Sequence, residues 1–192
     1  VRVIGYSVAA AALAAAGCAR DPVEHKCPDV EVGDLVVSEF RGPQSPDDGS
    51  PVWVELYNAS SASIDLEGTK VRFRKKDGSS EVAVIVRRSV PLAAGSYATL
   101  GLVPDNTVER PDFIDYGFID DFHVSFLPAA AVDVEACGLR VDRAIYDVLP
   151  KTGTYSLSGA TPPNANDNDA PTAWCTNATP AGTPKQANPA CP

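Results

Sequence analysis

Apolar and polar residues alternate along this chain in short runs, and Gly, Pro, Asp or Ser closes each run within a few residues. The clearest run is Val52–Asn58, which sets Val52, Val54 and Leu56 on one face and Trp53, Glu55 and Tyr57 on the other. A period of two marks a strand with two distinct faces. The same reading predicts strands over Leu35–Phe40, Lys70–Lys76, Glu81–Arg88, Tyr97–Val103, Ala131–Cys137, Leu139–Val148 and Thr154–Leu157. Weaker aromatic strands are expected over Phe113–Phe118 and Phe122–Leu127. Asp77-Gly78-Ser79-Ser80 supplies a hairpin connection between two of the runs. Past the first residues no stretch sustains an apolar period of 3.6. Many short strands with frequent turns in one domain predict an all-β, antiparallel sandwich. The tail from Gly159 to Pro192 is rich in proline and poor in apolar residues, a composition that does not fold unaided. Trp174 and two cysteines in it predict that it is pinned back onto the sandwich.

The N-terminal pattern differs. Arg2 precedes an apolar run from Val3 to Ala16, broken only by Gly5, Tyr6 and Ser7 and followed by Gly17-Cys18. A charge, a short apolar core and small residues make a secretory signal. The run is too short for a transmembrane helix, which needs about 20 residues. Ala15-Ala16-Gly17-Cys18 resembles the lipobox of bacterial lipoproteins. The resemblance implies cleavage before Cys18, acylation of Cys18, and attachment to a membrane through that lipid. Ala19, rather than Asp, follows the cysteine, which in such lipoproteins implies onward transport to the outer membrane. The expected boundaries are a signal peptide over 1–17, a tether over 18–31 punctuated by Pro22 and Pro28, and one domain over 32–192.

Composition then narrows the partners. A formal charge of −9, with Arg2 the only charge removed by the signal, makes nucleic acid an unfavourable partner. With Cys18 set aside, Cys27, Cys137, Cys175 and Cys191 remain, an even set that in an exported chain reads as two disulfides with three connectivities. We expect Cys175–Cys191, which closes the proline-rich tail near Trp174, and Cys27–Cys137, which ties the tether to the strands around Gly138. No cysteine spacing matches a zinc site, and only His25 and His123 could supply imidazole. No metal or cofactor is expected.

Several segments resemble the successive landmarks of the lamin-tail domain. They are Leu35-Val36-Val37-Ser38-Glu39-Phe40, Trp53-Val54-Glu55-Leu56-Tyr57-Asn58, Ile64-Asp65-Leu66-Glu67-Gly68 and Pro91-Leu92-Ala93-Ala94-Gly95. Asn166-Asp167, Trp174-Cys175, Gly182-Thr183-Pro184 and Ala187-Asn188 before Cys191 look like the close of its secreted bacterial members. The resemblance covers Val32 to Cys191, with Phe113–Ala136 as an insertion. It implies an immunoglobulin-like sandwich in an exported, surface-linked protein.

The candidate chemistry is sparse. There is no nucleophile elbow, no His-Glu-x-x-His and no phosphate-binding glycine loop. His123, beside aromatics, reads as a partly buried structural histidine. Glu39 and Glu55 lie in consecutive strands that could pair, and glycoside hydrolysis requires two approaching carboxylates. An enzyme needs both in one solvent-reachable cleft, whereas framework residues are covered and bonded to backbone. Asn164–Asp169 has oxygens at alternating positions but lacks the glycine and bidentate glutamate of a calcium loop. Asp112, Asp115, Asp120 and Asp121 form a second acidic cluster, read as turn and solvated loop acids.

One basic feature breaks the acidic composition. Lys70, Arg72, Arg74, Lys75, Lys76, Arg87 and Arg88 gather on the predicted hairpin, with only Asp77 and Glu81 among them. Val71 and Phe73 point inward, so Lys70, Arg72 and Arg74 form an outward stripe. It reads as the guarded edge of a sheet or as an anion-binding surface, with charges that contribute little to stability. The expectation for the whole chain is a non-catalytic, lipid-anchored envelope protein, an interaction or adhesion module for an envelope polysaccharide or protein. The alternatives are a carbohydrate-active enzyme using Glu39 and Glu55, or a calcium-stabilised binding module.

Overall fold

Strands β1 (Leu35–Arg41) and β2 (Trp53–Asn58) form the centre of the molecule, buried along nearly their whole length on both faces. The computed structural model describes residues 26–106, 108–124, 126–127 and 129–192; the signal segment, Cys18 and His25 lie outside them. The remaining strands are β3 (Ile64–Asp65), β4 (Thr69–Arg74), β5 (Val82–Ile85), β6 (Pro91–Leu92), β7 (Tyr97–Gly101), β8 (Tyr116–Gly117), β9 (Ala130–Ala136), β10 (Leu139–Tyr146), β11 (Thr154–Leu157) and β12 (Trp174–Asn177). One helical turn, α1 (Ala165–Asn168), lies in the tail.

The strands make an all-β sandwich. One sheet has the order β12-β11-β1-β2-β7-β8, the other β10-β9-β4-β5, and β3-β6 is a small accessory ladder. Pairing is antiparallel except between β7 and β8, which run parallel. The core lies between the two larger sheets, with Val37, Phe40, Val54 and Leu56 on one side and Val71, Phe73, Val132 and Val134 on the other. β4 shows the sequence logic plainly: Thr69, Val71 and Phe73 are buried, while Lys70, Arg72 and Arg74 are half-buried on its outer face.

The expected aromatic strands over 113–127 are corrected. Among the described residues there, β8 is the only strand, followed by a short 3-10 turn over Ile119–Asp121. The aromatics pack as a cluster instead. Phe73 has ring centroids 6.3 Å from Phe118, 5.6 Å from Phe122 and 5.4 Å from Phe126. The tail also carries more order than its composition suggests, because β12 pairs with β11 in register and Trp174 stacks on Phe40 and Tyr155.

Two disulfides join Cys27 to Cys137 and Cys175 to Cys191, with Cα separations of 5.6 and 5.8 Å. The first reaches the tip of the β9–β10 hairpin, where Cys137 (φ 46) and Gly138 (φ 87) form a two-residue left-handed turn. Residues 26–34, partly assigned to the tether by sequence, lie against the sandwich. The Lys26 ammonium sits 2.6 Å from Glu67, and the Gly33 N–H donates to the Val141 carbonyl at 2.8 Å. After β12 the chain crosses the outer face of the six-stranded sheet as a strap, residues 178–191.

Candidate functional site

Glu39 and Glu55 are register partners across β1 and β2. A bulge between Val37 and Glu39 inserts Ser38, which turns its hydroxyl toward the same carboxylate pair. Both glutamates are 0% exposed. Thr154 and Ser156 of β11 donate their hydroxyls to Glu39 Oε1, and the Thr183 N–H and hydroxyl each reach Oε2 at 3.2 Å. Glu55 accepts from the Ser38 hydroxyl at 2.8 Å and from the Lys185 N–H at 2.6 Å. Thr183 and Lys185 belong to the strap, so the lid over the pair is made by backbone.

The strap fits closely. A Cβ on Gly182 would stand 2.6 Å from Thr154 Cγ2 and 3.0 Å from Trp53 Cζ2, so only glycine lets the chain pass there. The Asn188 side chain donates to the Ser38 carbonyl at 2.9 Å and accepts from the Thr183 hydroxyl at 2.6 Å. At its far end the Gly159 N–H donates to the Pro189 carbonyl, and Cys191 closes the disulfide.

Burial raises the pKa of Glu39 above the ordinary carboxylate range. Glu55 is raised well above that range, first by burial and then by the charge of Glu39. The nearby cations are engaged elsewhere. Lys185 Nζ reaches Asp115 at 2.8 Å, and the Arg41 guanidinium holds Asp48 and the Ser50 and Pro51 carbonyls. Chemically this is a buried acid pair stabilised by hydroxyl and amide donors. It does not line a solvent-reachable cleft.

Comparison of the chain with family models, with curated proteins and with solved structures finds no match. The site is therefore read on its own geometry.

The basic stripe is where the structure most changes the sequence reading. β4 is not a sheet edge; it lies between β9 and β5. Its outward bases meet acids contributed by neighbouring strands. Arg72 pairs with Glu135 at 2.7 Å and with Glu81, and Arg74 pairs with Asp133 at 2.5 Å. Arg143 of β10 reaches the same Asp133 at 2.5 Å, so a buried carboxylate is clamped between two guanidinium groups. Lys76 pairs with Asp147, Arg87 with Asp121 at 2.6 Å, and Arg88 with Asp105 at 2.7 Å. Lys70 is half-buried and Lys75 exposed. The stripe is a ladder of alternating charge, not a surface of uncompensated positive potential. Stability follows: Arg74→Glu should destabilise the fold by about 2 kcal/mol, because it sets a carboxylate against Asp133, which is only 1% exposed. Chemical denaturation of the variant beside Lys75→Glu, expected to be near neutral, checks this.

The acidic segments do not converge. Among the described residues no group of three or more His, Cys, Asp and Glu side chains could hold a metal ion. Asn164 caps α1, accepting from the Asn166 and Asp167 N–H groups, so that segment is a helical turn and not an ion loop. Asp115 accepts from the Thr99 N–H and Asp121 from the Ile85 N–H, while Asp112 and Asp120 are exposed. His123 is exposed, not partly buried as expected.

Sequence reasoning missed a further buried acid, Asp142, which lies apart from the glutamate pair. Asp142 of β10 accepts from the Val37 N–H at 2.8 Å and from Asn168 Nδ2 at 2.7 Å. Asn168 also donates to the Val37 carbonyl, and its own carbonyl accepts the Trp174 indole N–H. This plug fills the gap where β1 leaves β11 and approaches β10. Burial raises the Asp142 pKa to about 6. Local alternation hides it, because a bulge between Arg140 and Asp142 moves the buried positions of β10 onto Asp142, Ala144 and Tyr146.

Proposed function

We propose that this chain is a lipid-anchored envelope protein whose sandwich is an immunoglobulin-like, lamin-tail-type interaction module without catalytic machinery. The observation that carries the non-catalytic reading is the sealing of Glu39 and Glu55, both fully buried and bonded to strap N–H groups. An acid–base pair working on a glycosidic bond must reach it, and these cannot while the strap is docked. The lamin-tail reading is supported by where its landmarks fall. Two coincide with β1 and β2, and two begin on β3 and β6 and run into the turns that follow. Two disulfides suit an oxidising compartment.

The anchor is Cys18 and the membrane is the outer one. The partner is an envelope polysaccharide or protein, and the compensated charge ladder makes it one not chosen by net charge alone. Detergent phase partitioning of the full chain tests the anchor. The parent should enter the detergent phase, and Cys18→Ala should stay uncleaved at Gly17–Cys18 and lose the lipid. Identical soluble products from both would overturn the reading. Binding of the mature protein to a panel of envelope polysaccharides and proteins tests the module.

A further inference from the structure

We propose that the strap over residues 178–191 is a pH-responsive cover, docked while the Glu39–Glu55 pair holds a proton and released from β1 and β2 when both carboxylates ionise. The pair is set side by side by strand register, and the hydroxyls of β11 and the strap amides hold both side chains in place. Both are fully buried. Two bare carboxylates in that setting repel each other and are shut off from solvent, and among the described residues neither makes an ion pair.

The charged and titratable groups around the pair come from every element that packs there. From the strap, Lys185 turns its ammonium to Asp115. From β1, Arg41 is committed to Asp48 and to carbonyls. From β7, Tyr97 is pushed up to about 12, first by burial and then by the Glu55 charge, so it stays neutral across the working range. Tyr57 of β2 packs on Tyr97 with ring centroids 4.8 Å apart. From β11 come only the hydroxyls of Thr154 and Ser156.

The strap is the part that can yield. Its hold on the sheet at β1 and β2 runs through the carboxylates themselves, by the Thr183 and Lys185 N–H groups, and through Asn188. Elsewhere it is held by Arg41 donating to the Pro180 carbonyl, by Lys185 pairing with Asp115 and by the Gly159 N–H donating to the Pro189 carbonyl. Lys185 sits at φ 64, a strained conformation for a non-glycine residue. Beneath the strap the Trp53 indole N–H is buried without a hydrogen-bond partner, an arrangement that uncovering would relieve. The sign follows from linkage. Both carboxylates have pKa values raised in the docked state, so docking is strongest below the ordinary carboxylate range and weakens as pH rises through the raised values. Release is bounded, because the Cys175–Cys191 disulfide keeps the end of the strap at the sheet. What it uncovers is a face bearing Trp53, Glu39 and Glu55.

Hydrogen exchange on the whole protein tests the cover. Protection of the Thr183 and Lys185 amides, relative to the amides of β2, should fall at least about tenfold between roughly pH 5 and pH 9. The Glu39→Gln, Glu55→Gln double variant should keep relative protection level across that range. Comparison with β2 separates this local event from global changes in stability. Strap protection that tracks β2 at every pH in the parent protein would overturn the proposal without recourse to the variant. So would an equal loss of protection in the variant.

Discussion

Phe73→Ala should lower the stability of the fold by about 4 kcal/mol and detach the segment over residues 118–127 from the sandwich. The size comes from what the ring touches. It is 1% exposed and contacts the rings of Phe118, Phe122 and Phe126, and Phe126 in turn lies 6.4 Å from Tyr146. After β8 the described residues of that segment make no strand pairing. Its backbone is held by few bonds, among them the Leu127 carbonyl accepting the Tyr146 hydroxyl at 2.9 Å. Removing the ring leaves a cavity that β4 cannot collapse to fill, since its neighbours β9 and β5 fix it on both sides. Urea denaturation should show the loss, and amides near Phe122 should exchange at rates close to those of exposed loops. Phe73→Leu, which keeps most of the volume, should lose less than half as much.

Asp142→Asn should remove a pH dependence of about 3 kcal/mol from the stability of the protein. The folded-state pKa of Asp142 is raised from 3.8 to about 6. The contribution of this group is therefore fully present below about pH 4 and is lost as pH rises through about 6. An asparagine carbonyl can still accept from the Val37 N–H and from Asn168, so the plug keeps its shape while the titration disappears. The quantity to follow is the difference in unfolding free energy between parent and variant at pH 4 and at pH 7. Between those two pH values it should shift by about 2 kcal/mol, most of the full span, in the direction that favours the variant at higher pH. A constant difference would mean that Asp142 titrates normally.

What the sequence made legible is instructive by element. Thr154–Leu157 was read to the residue, and the alternation of β2 and β4 placed their inner faces correctly, because a period of two is a local signal. The outer face of β2 was not legible. Alternation puts Trp53 and Glu55 on one face, but what buries both is a strap more than 120 residues later in the chain. The charge ladder was hidden for the same reason. Asp133 and Glu135 are far from Arg72 and Arg74 in sequence, and only the register of β9 against β4 brings them within diagonal reach across the two strands. β12 was missed because its one large apolar residue, Trp174, gives no periodicity; its partner strand supplies the order. The aromatic run over 113–127 misled for the opposite reason. Aromatics favour strands, but here Phe118, Phe122 and Phe126 pack around Phe73 instead of adding a strand beside β5.

The disulfide between Cys27 and Cys137 sets where a mechanical load enters the domain. If the anchor is Cys18, the length of chain between lipid and covalent clip is nine residue steps, a reach of roughly 30 Å when taut. Tension on that leash would arrive at the tip of the β9–β10 hairpin through sulfur, not at the start of β1. The hydrogen bonds of β1, and the acid pair that faces across it to β2, would carry none of the pull until the hairpin itself gave way. Reducing the clip would move the point of loading onto the central strand.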